Sequence, residues 1–273
     1  MTRAVTTVAD LRAALKGAPR VGLVPTMGAL HEGHLSLIRE ARKHAGLIVV
    51  SIFVNPTQFA PNEDFDAYPR TLEADFAKLA GLADLVFTPN AREMYPQGHA
   101  TTISVAGPGA GLETDFRPHF FSGVATVVAK LLIAASPDIA VFGEKDYQQL
   151  QVVRQMVRDL GLPVEIIGAP TSREADGLAL SSRNAYLNKD ERQVAGRLNQ
   201  VLKDAIVRAR QGDIPGSESW AMAALKDAGF DSVDYVAIRD AQTLASIATL
   251  QRPARILAAA RIGKTRLIDN MAL

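Results

Sequence analysis

Five short runs along the first two thirds of the chain are predominantly apolar without alternation: "VGLVP" at 21–25, "LIVVSIFV" at 47–54, "ADLVFTP" at 83–89, "IAVFG" at 139–143 and "PVEIIGA" at 163–169. An unbroken run, as opposed to strict alternation, is the pattern of a strand buried on both faces of a parallel sheet. Amphipathic segments lie between them. Leu35, Ile38, Ala41 and Ala45 recur at helical spacing, as do Leu72, Phe76 and Leu79, and longer segments run over 124–135 and 147–160. Strand and helix in alternation predict βαβ units and an α/β fold with an open, doubly wound parallel sheet. Such sheets bind ligands beyond the carboxyl ends of their strands. "PTMG", "NPTQF" and "GEKD" each fall just after a predicted strand, so chemistry is expected there.

After Pro170 the texture changes. "TSREADGLALSSRN" is polar and without a period, "KDERQVAGRLNQVLKDAIVRARQG" reads as one long helix, and a shorter helix follows at 217–228. Strands around "VDYVAIRD", "RILAAARI" and "TRLID" close the chain. These predict a larger domain over 1–175 and a smaller α+β domain over 176–273, with the loop 171–185 as hinge and lid.

Composition narrows the function without choosing it. The chain has 273 residues, enough for one large and one smaller domain, and 48% apolar against 22% charged residues is a globular balance. Thirty basic and 29 acidic residues leave a net charge of +1, so no bulk field attracts nucleic acid or an anionic membrane, and any cationic site must be local. The absence of cysteine excludes disulfides, thiol nucleophiles and thiolate metal sites. Neither an amino-terminal signal pattern nor a run approaching ~20 apolar residues is present. A cytoplasmic location is expected.

"PTMGALHEGHLSL" at 25–37 sets two histidines three positions apart around a glycine. A zinc-protease motif would need its second histidine four residues after the first, where Leu35 stands. A helix beginning near Gly33 would instead turn unpaired N–H groups and the positive end of its dipole toward the strand's end, an anion site. Gly28 and Gly33 would admit a phosphate close to backbone, and His31 and His34 would donate ring N–H bonds to it. The helix end disfavours permanent charge on His34, favouring a neutral donor or a poised acid. Two loop histidines satisfied by carbonyls would be the plainer reading of the same residues.

"HEGH" resembles the His-x-Gly-His element of the nucleotidyltransferase superfamily. With "FVNPTQF", "YPRTLEAD", "FFSGVATVVAKLL", "VFGEKDYQQL" and "DGLALSSRNAYL", the chain resembles the pantothenate synthetase family in six blocks that occur in order. The resemblance implies a Rossmann-like domain and ATP-dependent joining of pantoate to β-alanine. The route would be a pantoyl-adenylate intermediate, with release of pyrophosphate and AMP. It carries ATP contacts onto Met27, Gly28, Ala29, Leu30, His31, Glu32, Gly33 and His34, onto Gly143, Glu144, Lys145 and Asp146, and onto Ser172, Leu180, Ser181, Ser182 and Arg183. Catalytic roles fall on His34 as proton donor and on His31, Lys145, Ser181, Ser182 and Arg183. Gln58 and Gln149 correspond to pantoate contacts, and Gln58 also to a β-alanine contact. The "LSSR" run departs from the synthetase form of its motif, with Ala179 and Leu180 in place of lysine and methionine.

ATP chemistry brings Mg²⁺, whose ligands the residues do not single out; Asp75 is a candidate carboxylate. The resemblance further suggests a homodimer. Two other classes stay open at this point. One is an adenylyltransferase that leaves its nucleotide on a phosphorylated product, which would need more cations than "NPTQF" and "KDYQQL" supply. The other is a nucleotide-binding regulator without chemistry.

Overall fold

The computed structural model describes residues 2–60, 63 and 65–273. Strands β1 (Arg3–Val5), β2 (Val21–Thr26), β3 (Leu47–Ile52), β4 (Leu85–Phe87), β5 (Ile139–Gly143) and β6 (Glu165–Ala169) form one parallel sheet in the order β1-β4-β3-β2-β5-β6. The central strands are buried along nearly their whole length, while the edge strands β1 and β6 are partly exposed. Four of the five apolar runs are inner strands of the sheet, and the fifth, at 163–169, is the edge strand β6.

Helices α1 (Val8–Leu15), α2 (Glu32–His44), α3 (Leu72–Leu79), α4 (Ala91–Met94), α5 (Glu113–Phe116), α6 (Phe120–Ala135) and α7 (Tyr147–Asp159) complete this part of the chain. Alternate strand residues feed two cores. Leu23, Val49, Phe87, Ala140 and Phe142 pack with α1, α6 and α7 on one face, and Val24, Ile48, Val50, Val86 and Val141 pack with α2 and Leu79 of α3 on the other.

The order reverses between β2 and β5. β2 pairs with β3 at all six of its residues but with β5 only at Gly22 and Leu23. Beyond Leu23 the two strands part, and the crevice between their carboxyl ends is the switch point at which open α/β sheets bind ligands.

The rest of the chain comprises α8 (Lys189–Ala195), α9 (Arg197–Ala209), α10 (Ile214–Asp227) and an antiparallel sheet of β7 (Ser232–Asp240), β8 (Ala254–Ile262) and β9 (Thr265–Ala272). Val236, Ile238, Ile256 and Ala258 pack on α9 and α10. Ala237 and Leu257 face the opposite way and join the core of the larger sheet, so both faces of the small sheet are used.

Several expected boundaries move. The long helix predicted over 189–212 is two helices meeting at Gly196. The helix expected from 124 starts at Phe120, and α2 starts at Glu32 with His31 as its cap. β1 and α1 are additional elements that the apolar pattern does not predict.

The loop 171–185 is tied down within itself and to β9. Arg173 and Ala179 form an antiparallel bridge, and the Arg173 guanidinium grips both carboxylate oxygens of buried Asp269 at 2.7 and 2.8 Å.

Candidate active site

The turn after β2 is built by a few local bonds. Gly28 and Ala29 both have positive φ, 86° and 49°, which folds the chain back on itself before α2. Fully buried Asp75 of α3 receives the Ala29 and Leu30 N–H groups at 3.0 and 2.8 Å and the Thr71 hydroxyl at 3.3 Å. Lys78, one turn further along α3, donates to the Leu30 carbonyl.

The two histidines then cap α2 reciprocally. His31 Nδ1 accepts from Gly33 N–H at 3.1 Å, and His34 Nδ1 accepts from His31 N–H at 3.3 Å. Because each Nδ1 is an acceptor, each neutral ring carries its proton on Nε2, where it can be donated to a ligand. The rings lie 4.1 Å apart between centroids. Burial, followed by the neighbouring His31 ring and the ammonium groups of Lys145 and Lys78, lowers His34 to about 3. Burial, Lys145 and Lys78 lower His31 to about 4, opposed by Asp146. Both rings are therefore neutral donors at neutral pH, and protonating either Nδ1 would also break its cap. Gly33 is needed for this packing: a Cβ there would meet the His31 ring at 2.8 Å.

Lys145 lies in the short 3-10 turn Glu144–Asp146 after β5, across the crevice from the histidines, with its ammonium 3.7 Å from Asp146. Asn270 of β9 donates its side-chain amide to the Glu144 and Lys145 carbonyls at 2.9 and 2.8 Å. Arg255 of β8 pairs with the Glu144 carboxylate at 2.9 Å.

Opposite, Ser181 accepts the Arg183 N–H and caps the turn Ser182–Tyr186. The Ser172 carbonyl takes the Leu180 N–H at 2.9 Å, so the "LSSR" segment is laid down along Ser172. The Ser172 hydroxyl meets that of Ser36 at 3.0 Å. Arg183 lies 5.9 Å from the centre of the Tyr68 ring.

A cavity of about 860 Å³ joins these parts. Met27, His31, Gly33, His34, Gln58, Gly143, Lys145, Asp146, Gln149, Ser172, Leu180, Ser181, Ser182 and Arg183 all line it. Five residues named from the resemblance are placed elsewhere. Leu30 is a core side chain, and Gly28 and Ala29 shape the turn behind the histidines. The Glu32 carboxylate pairs with Arg39 on the exposed side of α2, and that of Glu144 turns to Arg255.

Gln58 belongs to a 3-10 turn, Pro56–Gln58, capped by the Asn55 side chain. Asn55 is itself held by the Tyr95 hydroxyl at 2.7 Å and by its own bond to the Gly123 carbonyl at 3.2 Å. Gly123 of α6 lets this turn approach, since a Cβ there would meet the Thr57 carbonyl oxygen at 2.4 Å. Buried Gln58 and half-buried Gln149 face the cavity, and among the described residues neither side-chain amide has a partner. Phe53, Phe59, Val124 and Val128 provide an apolar wall.

Two arginines of the cavity wall have their charge met within the protein. Arg117 pairs with Glu63 and Glu113, and Arg266 pairs with Glu113 and Asp234. The structural roles of Asp75, Lys78, Gly123 and the β8–β9 residues are not legible in the sequence, where Asp75 reads only as a metal candidate.

A parallel sheet with its crevice at the switch point, entered by a histidine-capped helix on one side and a lysine turn on the other, places the chain in the α/β class. Comparison with known proteins narrows the class. The chain belongs to the pantoate-beta-alanine ligase family, whose model matches residues 3–272. It is 60% identical over 276 residues to a pantothenate synthetase of Mesorhizobium japonicum, covering 98% of this chain and 96% of that protein. It is 57% identical over 278 residues to one of Caulobacter vibrioides, covering 98% of each. Among solved structures, pantothenate synthetase of Thermus thermophilus superposes with a TM-score of 0.93 at 48% identity over 98% of both chains. The pantoate-beta-alanine ligase of Francisella tularensis, solved with beta-gamma ATP and beta-alanine, gives 0.84 at 35% identity, covering 99% of this chain and 97% of that one.

Proposed function

We propose that this chain joins pantoate to β-alanine at the expense of ATP, through pantoyl adenylate, with release of pyrophosphate and AMP. One observation carries the reading: neutral imidazole donors and a lysine share a single cavity with an apolar wall and two amides that have no partner among the described residues.

In the first step a pantoate carboxylate oxygen attacks the α-phosphorus of ATP, and the bond to pyrophosphate breaks. Two anions meet, so the site must supply positive charge and donors to the oxygens that gain charge. The Nε2 protons of His31 and His34, at the positive end of α2, serve one side of the phosphorus, and Lys145 serves the other. Ser181, Ser182 and Arg183 hold the far phosphates. Gln58 and Gln149 bond the hydroxyls and carboxylate of pantoate without introducing a charge, while the apolar wall takes its methyl groups. A phosphorylated acceptor fits poorly, because the charges of Arg117 and Arg266 are already met by carboxylates. In the second step the β-alanine amine, aligned by Gln58, attacks the acyl carbon and AMP leaves; alignment within one pocket supplies much of the acceleration.

Mg²⁺ would enter with the nucleotide. Among the described residues no cluster of three metal-ligating side chains exists, and the carboxylate of Asp75 is taken up by two backbone amides. That suits an ion carried mostly by phosphate oxygens and water. Division into domains at about residue 175, assembly as a homodimer and a cytoplasmic location complete the proposal. Among the described residues no helix is long and apolar enough to cross a membrane.

Incubation with ATP, pantoate and labelled pyrophosphate, without β-alanine, tests the reading. Label should enter ATP only when pantoate is present. Tight ATP binding without any exchange would make the chain a nucleotide sensor instead.

A further inference from the structure

We propose that the consecutive residues Asp269 and Asn270 of β9 are the positioning element that sets the two nucleotide-facing loops relative to each other, and that Asn270 holds Lys145 in its working place. The inference rests on the proposed role of Lys145 in adenylation.

The lysine turn has no side-chain cap of its own. Its hold comes from a strand 125 positions away: buried Asn270 uses Nδ2 for both the Glu144 and the Lys145 carbonyls, at 2.9 and 2.8 Å. The amide cannot turn over, because its Oδ1 accepts from Arg255 Nε at 2.6 Å and a flipped oxygen would face two carbonyls. Arg255 completes the grip. Its other arm binds the Glu144 carboxylate at 2.9 Å, and its guanidinium lies 3.8 Å from the centre of the Tyr147 ring.

The preceding residue does the same for the opposite loop. Asp269 accepts two bonds from Arg173, and Arg173 in turn bonds the Gly177 carbonyl at 2.9 Å and bridges to Ala179, directly before "LSSR". Successive side chains of a strand point to opposite sides, so one peptide unit reaches two loops. The anchors are adjacent α-carbons about 3.8 Å apart, and this covalent spacing fixes how far Lys145 stands from Ser181–Arg183. A misplacement of about 1 Å in such a site costs about a hundredfold in rate.

A double-mutant cycle of Asn270→Ala with Lys145→Ala decides the matter, read by pantoate-dependent pyrophosphate exchange and, separately, by ATP affinity, with melting temperature as the folding control. Positioning predicts that Asn270→Ala slows exchange about a hundredfold when Lys145 is present and less than about threefold when it is not, since residues acting through one another are non-additive. ATP affinity should show the same coupling, while the pantoate KM stays near its original value. If Asn270→Ala folds poorly, Arg255→Met replaces it; it loosens the grip, leaves the two Nδ2 bonds, and should give a smaller loss with the same dependence on Lys145. Losses that multiply independently in both readouts would overturn the inference. Absence of exchange in the unsubstituted enzyme would overturn the adenylation reading alone, and the ATP-affinity cycle would still decide whether Asn270 acts through Lys145.

Discussion

The two walls of the crevice are held in opposite ways. The histidine wall is assembled close to home: His31 and His34 together cap the start of α2 across three residues, and one carboxylate from the next helix, α3, secures the turn before them. The lysine wall and the "LSSR" loop depend on residues about 90 to 125 positions further along the chain, at Asp269 and Asn270. The histidines are thus preorganised by local chemistry, while the cations opposite them are placed by the small sheet. Catalysis needs both walls at once, which makes the small sheet part of the active site's framework.

Substitutions on either wall should separate these two kinds of support. The largest effect is expected at His34. His34→Ala should lower the adenylation rate by about two to three orders of magnitude, the usual result of removing one transition-state donor, with a much smaller change in ATP affinity. Single-turnover measurement of pyrophosphate release checks this, and near-normal turnover would remove His34 from the chemistry.

Asp75→Ala should be nearly as damaging by a different route. It leaves the Ala29 and Leu30 amides without their acceptor, which should cost about 3 kcal/mol in urea unfolding, and it should slow adenylation by releasing the turn before His31. Unchanged stability would show that the clamp is not what holds this wall.

At Gly123 a milder and more selective effect is expected. In most helices alanine stabilises relative to glycine by about 1 kcal/mol, but here its Cβ would push on the Thr57 carbonyl 2.4 Å away. Gly123→Ala should raise the pantoate KM about tenfold by displacing the binding turn, with ATP affinity intact. Equal weakening of both ligands would contradict the proposed place of Gln58.

The remaining effect concerns acid. Folding lowers His31 to about 4 and His34 to about 3 from an ordinary value of 6.5, so below pH 6.5 the unfolded chain takes up protons first. Stability contributed by the neutral rings is whole above about pH 6.5, falls as pH drops toward 4, and changes little further below 3. His34→Gln should flatten that acid slope in urea titrations at pH 5 and 7. Adenylation should show no break near pH 6.5 attributable to these rings.

What could be read from the chain follows the same contrast between near and far. β2, β3 and β5 announce themselves because both faces are buried, and "HEGH" because its reciprocal helix cap fits within four residues. β1 escapes notice because three residues with one buried position make no pattern. The break at Gly196 is hidden because the amphipathic period runs across it. Glu32 and Glu144 sit inside recognisable motifs, yet their carboxylates turn to Arg39 and Arg255, partners that no motif names. The grip of Asn270 on two carbonyls has no local signature, since backbone groups carry no residue identity. Gln58 and Gln149 are readable by resemblance, but that neither has a partner among the described residues, which leaves it available to a ligand, is visible only in three dimensions.

The central claim is that pantoate's own carboxylate attacks the α-phosphorus in this cavity. Turnover of pantoate labelled with ¹⁸O in its carboxylate, with ATP and β-alanine, tests it most directly. The account predicts that one labelled oxygen leaves in the phosphate of AMP and the other stays in the amide carbonyl of the product. Label appearing in inorganic phosphate alongside ADP, or AMP formed without label, would contradict it.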